Sequence, residues 1–385
     1  MGEMQDQCVV ILPNMVDDIG LLCLARLPHS CRAKARCVCR SWRRALANPS
    51  SLRRSFNLQS APEHCLFIAL FDTDCDPSYL RATEHNTRWL FIHPSSLQTT
   101  EPLPNPLSQI STDRLNLRSV AATSANLFLP DIPDNKIEGF QSYNAEHRRR
   151  SAVPFAAPDY KHVRLYACAA LGDLVFFSGG QNDVTGTAQS SGCMYDAAKC
   201  RWEILPNMIK LRIDCTGIVM DGKFVVIGGS YNDGQFMRVH ASGEAYDPKT
   251  GRWTLLPDLW ANGLNYVDES NAAQPGVAVV GGHTLYTLQS HSNELMRFDP
   301  LINRWVSVGF VGGELQRNPC LSYKVIAVGE ELWVVEHAMG RDIRIHAGMP
   351  PKNCRDGRTV LNFREVKLPE LEGFDHVLTC TVLAL

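Results

Sequence analysis

The residues of this chain best suited to chemistry are scattered rather than assembled. Its 385 residues include twelve histidines and fourteen cysteines. Yet there is no H-E-x-x-H, no G-x-x-x-x-G-K-[ST] loop, no G-x-S-x-G elbow and no C-x-x-C. His240, His283, His291, His337 and His346 could ligate a metal such as copper only as a cluster with tyrosine. They do not recur at matched positions of the internal repeats described below. Cys37 and Cys39 form a C-x-C in a segment that reads as helix, where side chains two apart point about 200° away from each other. The residues therefore predict no catalytic group, no cofactor site and no metal site.

Binding chemistry is easier to find. Between Leu21 and Ser60 stand Arg26, Arg32, Lys34, Arg36, Arg40, Arg43, Arg44, Arg53 and Arg54, with no acidic residue among them. The whole chain has a net charge of −2, which leaves −11 for the remainder. The same region is patterned as helix. "VDDIGLLCLARL" has apolar residues at helical spacing, opens on Asp17 and Asp18 and stops at Pro28. "SCRAKARCVCRSWRRAL" offers Ser30 as an N-cap. It then sets Val38, Trp42, Ala45 and Leu46 on one stripe of a single basic helix ending at Asn48-Pro49. A basic helical unit suits an acidic protein surface, and equally a nucleic acid or an anionic membrane.

Bulk properties narrow the setting. An apolar fraction of 45% and a charged fraction of 20% describe a globular chain with ample core. No run of 18 apolar residues is present, so no membrane-spanning helix is expected. The N-terminus has acids where a signal peptide needs a basic region, and Asp6 fails the myristoylation pattern. With a core this large a disulfide scaffold is unnecessary. Reduced thiols, and hence a cytoplasmic or nuclear location, are expected.

Beyond about residue 60 the pattern changes to short alternating strands and tight turns. "YDAAKCRWEILP" (195–206) recurs as "YDPKTGRWTLLP" (246–257) and, less fully, as "FDPLINRWVSV" (298–308). The tryptophans Trp202, Trp253 and Trp305 keep this spacing, and Gly179-Gly180 and Gly228-Gly229 precede two of them. Looser copies surround Trp89, Arg150 and Phe363, giving six units. Each parses as four strands, with Gly172-Asp173 and Asp221-Gly222 as first turns. Six such meanders predict a mainly β chain: a small α N-terminal domain followed by a six-bladed β-propeller. The first unit lacks a first strand, and "HVLTCTVLAL" at the C-terminus supplies one, closing the ring and covering two edges. The proline-rich segment from Leu97 to Asp113 reads as an exposed loop.

The Gly-Gly, Tyr-Asp, Arg-Trp pattern resembles kelch repeats over residues 64–385. Leu12-Pro13, the apolar helix, "RLP" (26–28) and "RCVCRSWRRAL" resemble an F-box over residues 9–55, with 56–63 as linker. Together they are similar to plant-type F-box/kelch-repeat proteins. That resemblance implies a substrate-recognition subunit of a Skp–cullin–F-box ubiquitin ligase. It would not itself be an enzyme and would have no cofactor. Its partners would be a Skp-type adaptor and, through it, a cullin–RING ligase, with a target protein on the propeller and neither nucleic acid nor membrane. Carried over by position, the adaptor-binding residues are Leu12, Pro13, Ile19, Leu22, Leu27, Pro28, Val38 and Trp42. Some of these could instead build the unit's own core. Two other readings stay open: a kelch scaffold without a ligase role, and a propeller enzyme of the copper-oxidase kind.

Connectivity assigns the propeller two unlike faces. First-to-second and third-to-fourth turns are tight, whereas second-to-third and inter-blade loops are long and meet at the other end. Long loops on a rigid scaffold are where binding is placed. The candidates for substrate binding there are Arg212, Tyr231, Arg238, His240, Tyr266, Arg317, His337 and Arg341, a set of cations and aromatics of the kind that anchors interfaces.

Overall fold

The computed structural model describes residues 11–13, 15–47, 52–53, 55–58, 64–71, 81–82, 87–94, 96–100, 112–113, 120–123, 126–131, 139–144, 149–154, 163–182, 184–260, 276–289, 292–311, 322–338, 342–351, 360–371, 374 and 376–384. The chain divides into two compact units, the first within Met1–Glu63 and the second His64–Leu383.

Among the described residues, the first unit holds the helices α1 (Asp17–Ala25), α2 (His29–Ala35) and α3 (Arg40–Ala45), with Leu52, Arg53 and Ser55 helical beyond them. Asp17 accepts a hydrogen bond from the Ile11 amide at 3.0 Å, folding the Leu-Pro segment back over α1. Gly20 permits that fold, because a Cβ there would lie 2.8 Å from Ile11 Cγ2. Ile11, Leu24, Ala35 and Leu46 are buried together, with Leu12, Leu21, Leu27, Trp42, Ala45 and Leu52 packed around them. The single basic helix expected after Pro28 is instead two. Pro28, not Ser30, occupies the N-cap of α2. Cys39 takes an extended conformation (φ −156°, ψ 172°) and its Sγ caps α3 by accepting from the Trp42 amide at 3.4 Å. The break splits the expected apolar stripe: Leu46 turns inward and Val38 stays out.

The second unit is a propeller of six antiparallel four-stranded blades. Blade 1 runs His376–Ala384, His64–Phe71, Thr87–His93, Gln98–Thr100, and the C-terminal strand does supply its missing first strand. Blade 2 runs Ala121–Ala122, Asn126–Asp131, Gly139–Asn144, Arg149–Pro154. Blade 3 runs Ala167–Leu171, Leu174–Ser178, Gly192–Asp196, Arg201–Leu205, and blade 4 Thr216–Met220, Lys223–Ile227, Gly243–Asp247, Arg252–Leu256. Blade 5 runs Val277–Val280, Thr284–Gln289, Glu294–Asp299, Arg304–Val311, with Val360–Leu361 added in parallel to its outer strand. Blade 6 runs Ser322–Val328, Glu331–Ala338, Asp342–Gly348, Arg364–Val366. The added segment covers an edge that would otherwise be free to pair.

The repeat signature has a physical reading. In blades 3, 4 and 5 an aromatic residue of the third strand sits opposite tryptophan in the fourth: Tyr195 with Trp202, Tyr246 with Trp253, Phe298 with Trp305. In blade 2 the same register pairs Tyr143 with Arg150. The indole N–H then reaches the previous blade. Trp253 donates to the Pro206 carbonyl at 2.8 Å and Trp305 to the Leu259 carbonyl at 2.9 Å. Apolar clusters are shared between neighbouring blades rather than confined to one. Stability therefore comes from blade stacking.

Two readings of blade 1 need correction. Trp89 lies on the third strand, opposite Ala69, and is buried against Phe67 at 5.0 Å. It is not the counterpart of Trp202. The fourth strand is the polar Gln98–Thr100, inside the segment expected to be all loop, and carries no Arg-Trp from which it could be recognised. Thr112-Asp113 also pairs with Arg81-Ala82.

Candidate binding surfaces

The Gly-Gly pairs open the looped face. Gly180 has φ +103°, and a Cβ there would lie 2.6 Å from the Arg164 carbonyl oxygen. Gly229 has φ +81°, and its Cβ would lie 2.9 Å from the Ile213 carbonyl oxygen. Inter-blade connections thus cross directly over these glycines. They are stitched to the loops on either side. Gln189 bridges Arg212, Ile213 bridges Ser230, and Val163-Arg164 pairs with Gln181-Asn182. Between Gly229 and His240 the blade 4 loop rises as a hairpin, Ser230–Asn232 against Met237–Val239.

The candidate substrate residues are sorted by this framework. Arg212 is not a surface contact: its side chain is 0% exposed. It donates to Glu244 Oε1 at 3.1 Å, to the Gly228 and Ser242 carbonyls and to Ser242 Oγ at 3.0 Å. His240 is also buried, stacked on Tyr231 at 4.5 Å with Nε2 2.9 Å from the Leu211 carbonyl. Burial pushes its pKa down to about 4, with Arg212 and Lys210 adding to the effect, so the imidazole is neutral at physiological pH. Tyr231 is half-buried by that stacking. Arg238 is exposed. It binds Asp233 at 2.8 Å, which holds that carboxyl down to about 2, and lies 5.7 Å from the Phe236 ring centroid. His337 sits in the second strand of blade 6, paired with Ser322 and Ile343. Tyr266, Arg317 and Arg341 lie outside the described residues.

Sequence reading missed the apolar part of this face. Ile209, Leu211, Phe236, Met237 and Val239 are all exposed, as is Val184 at the tip of the blade 3 loop. It also missed Glu244, although a signal was present: Glu244 follows Gly243 where the preceding copy has the buried Cys193 after Gly192. A glutamate in a buried register position must find a cation.

On the first unit the proposed adaptor contacts divide into two groups. Pro13, Ile19, Pro28 and Val38 are exposed, the last 62% and Ile19 50%, next to Val16 at 66%. Leu12, Leu22, Leu27 and Trp42 are half-buried. Trp42 is anchored by its Nε1 donating to the Ile11 carbonyl at 2.7 Å. Arg32 is buried and donates to the Leu27 carbonyl at 3.0 Å, so it fixes the α1–α2 corner instead of adding to the surface charge.

A cavity of about 310 Å³ lies on the propeller axis, lined by the first strands of all six blades. Cys168, Cys215 and Cys380 are among its lining residues, their side chains belong to the apolar clusters between blades, and burial pushes each thiol up to about 12. They are neutral and poorly nucleophilic. Among the described residues no three His, Cys, Asp or Glu side chains are grouped to hold a metal. His283 is turned to the Gly281 carbonyl and His346 toward Glu336; His291 lies outside the described residues.

Comparison with known proteins agrees with both halves. The F-box domain model matches residues 12–54 and the kelch motif model residues 211–259, which is blade 4 with the connection leading into it. F-box/kelch-repeat protein At3g27150 of Arabidopsis thaliana is 25% identical over 98% of this chain and 84% of its own length. F-box/kelch-repeat protein At1g16250 of the same plant is 22% identical over 97% of each chain. F-box/kelch-repeat protein At1g26930, also from that plant, is 33% identical over 38% of this chain and 35% of its own. Helical unit, closed propeller, both sequence models and relatives along nearly the whole length agree: the chain carries an F-box and a kelch motif and is similar from end to end to plant F-box/kelch-repeat proteins.

Proposed function

We propose that this chain selects targets for a Skp–cullin–F-box ubiquitin ligase and performs no catalysis of its own. Residues 9–55 dock a Skp-type adaptor, 56–63 link, and the propeller of residues 64–385 presents its looped face to a protein destined for ubiquitination. The observation that carries this reading is an F-box that completes its own core yet leaves Val16, Ile19 and Val38 in solvent. Exposed apolar residues so concentrated on a small unit need a partner. The surrounding arginines favour an acidic one and speed the encounter. Of the eight residues carried over, Pro13, Ile19, Pro28 and Val38 would touch the adaptor directly. Leu12, Leu22, Leu27 and Trp42 would share that role with holding the unit together. The chemistry of ubiquitin transfer belongs to the other subunits, and the free thiols suit a reducing compartment, cytoplasmic or nuclear.

Co-expression with a Skp-type adaptor tests the reading. The tagged chain should retain the adaptor and a cullin through gel filtration. A chain with Leu12, Pro13 and Trp42 changed to alanine should lose them. If the unaltered chain retains neither, the propeller is a scaffold with no ligase role.

A further inference from the structure

The hairpin of blade 4 has one edge used and one free. In an antiparallel ladder, alternate residues turn their N–H and C=O groups toward the partner strand and away from it. The Asp233 amide donates to the Phe236 carbonyl at 3.1 Å and the His240 amide to the Gly229 carbonyl at 2.8 Å. These bonds fix the inward set. Ser230 therefore faces outward, and it exchanges two 2.7 Å hydrogen bonds with Ile213. On the opposite edge Met237 and Val239 face outward in the same way. Among the described residues nothing pairs with their N–H or C=O groups.

That edge is not blunted. Met237 is 56% and Val239 39% exposed, and they share one face of the strand. The strand's one charge, Arg238, lies on the other face, tied to Asp233 and set against Phe236. Free edges of this kind are usually masked by lysine, proline or a bulge. Unpaired backbone donors and acceptors ask for backbone in return, which a folded convex surface cannot offer and an extended segment can. Among the described residues the charges around the hairpin are matched, Arg212 with Glu244 and Arg238 with Asp233, so they neither repel nor select a charged partner, and the apolar pair Met237 and Val239 sets its character.

We propose that the Met237–Val239 edge is a strand-addition site. It takes an extended segment of the target protein with apolar residues at alternate positions, set to meet Met237 and Val239. This rests on the looped face being the target-binding face and names how that face holds its target.

A phage-displayed library of random dodecapeptides, panned on the purified full chain, supplies the probe. The tightest sequence is then synthesised with single N-methyl groups along its backbone and binding is read by fluorescence anisotropy. Methylation should cost about tenfold at every second residue along the paired stretch and little between, because only alternate amides face the edge. Val239→Pro, which removes an edge N–H, should weaken binding by about tenfold, and Val239→Thr, which keeps it, by less than about threefold. Failure to select any peptide binding below about 100 μM, or a methylation profile without alternation, overturns the proposal. Equal binding to Val239→Pro overturns it as well. Peptides that lose affinity to Phe236→Ala while showing no alternation would end strand pairing but leave target capture by this face standing.

Discussion

Arg212 and Glu244 form an ion pair, Nε to Oε1 3.1 Å, with neither side chain exposed to solvent. Glu244 also accepts from the amides of Ile209 and Lys210, at 2.6 and 3.1 Å. One carboxylate thus pins the connection between blades 3 and 4 onto the third strand of blade 4. Arg212→Met should cost about 3–5 kcal/mol, because it strands a buried charge. Arg212→Met with Glu244→Leu should recover part of that loss. Urea unfolding of the three chains checks this, and a single-variant loss below about 1 kcal/mol would contradict it.

The tryptophans act between blades. Trp305→Ala should destabilise by about 3–5 kcal/mol through the void it leaves. Trp305→Phe keeps most of the volume but frees the Leu259 carbonyl, and should cost about 1–2 kcal/mol beyond any packing loss. Thermal unfolding of both variants separates filling from hydrogen bonding.

Closure by the C-terminal strand makes the ring depend on its last residues. Removing 376–385 strips the inner strand from blade 1 and bares the second strand, His64–Phe71, whose residues 65–70 are buried. The truncated chain should aggregate or unfold as a whole, seen as loss of a single cooperative transition, not as local fraying.

His240 predicts an acid sensitivity. Its folded-state pKa of about 4 lies below the ordinary 6.5. The unfolded chain therefore binds a proton between those values while the folded chain does not, and stability falls as pH drops from about 6.5 to 4. Above about 6.5 both states are neutral and the contribution is flat. His240→Gln should flatten the acid limb of a stability–pH curve; an unchanged slope would show that the imidazole titrates normally.

Much of this architecture was legible because it is repeated. Asp221-Gly222, with φ of +51° and +69°, forms the tight turn its sequence announces. The Tyr-Asp to Arg-Trp spacing marks the outer two strands of blades 3 and 4, and "HVLTCTVLAL" matches the gap in blade 1. What was illegible is what occurs once. Cys39 breaks a helix that periodicity would continue, because its extended conformation brings Trp42 round to Ile11. Arg212 reads as a loop cation until Glu244, 32 residues on, is brought beneath it. The free edge at Met237 and Val239 depends on hydrogen-bond phase, which composition does not encode.

The F-box claim is tested most directly by the affinity of the purified chain for a purified Skp-type adaptor, beside a variant with Ile19→Asp and Val38→Asp. Both residues lie outside the buried core, so the variant should keep its fold and its helical circular dichroism. The unaltered chain should bind, with an on-rate that falls as salt rises, and the variant should bind about 100-fold more weakly. Equal affinity of the two chains, or no binding by the unaltered one, would contradict the account.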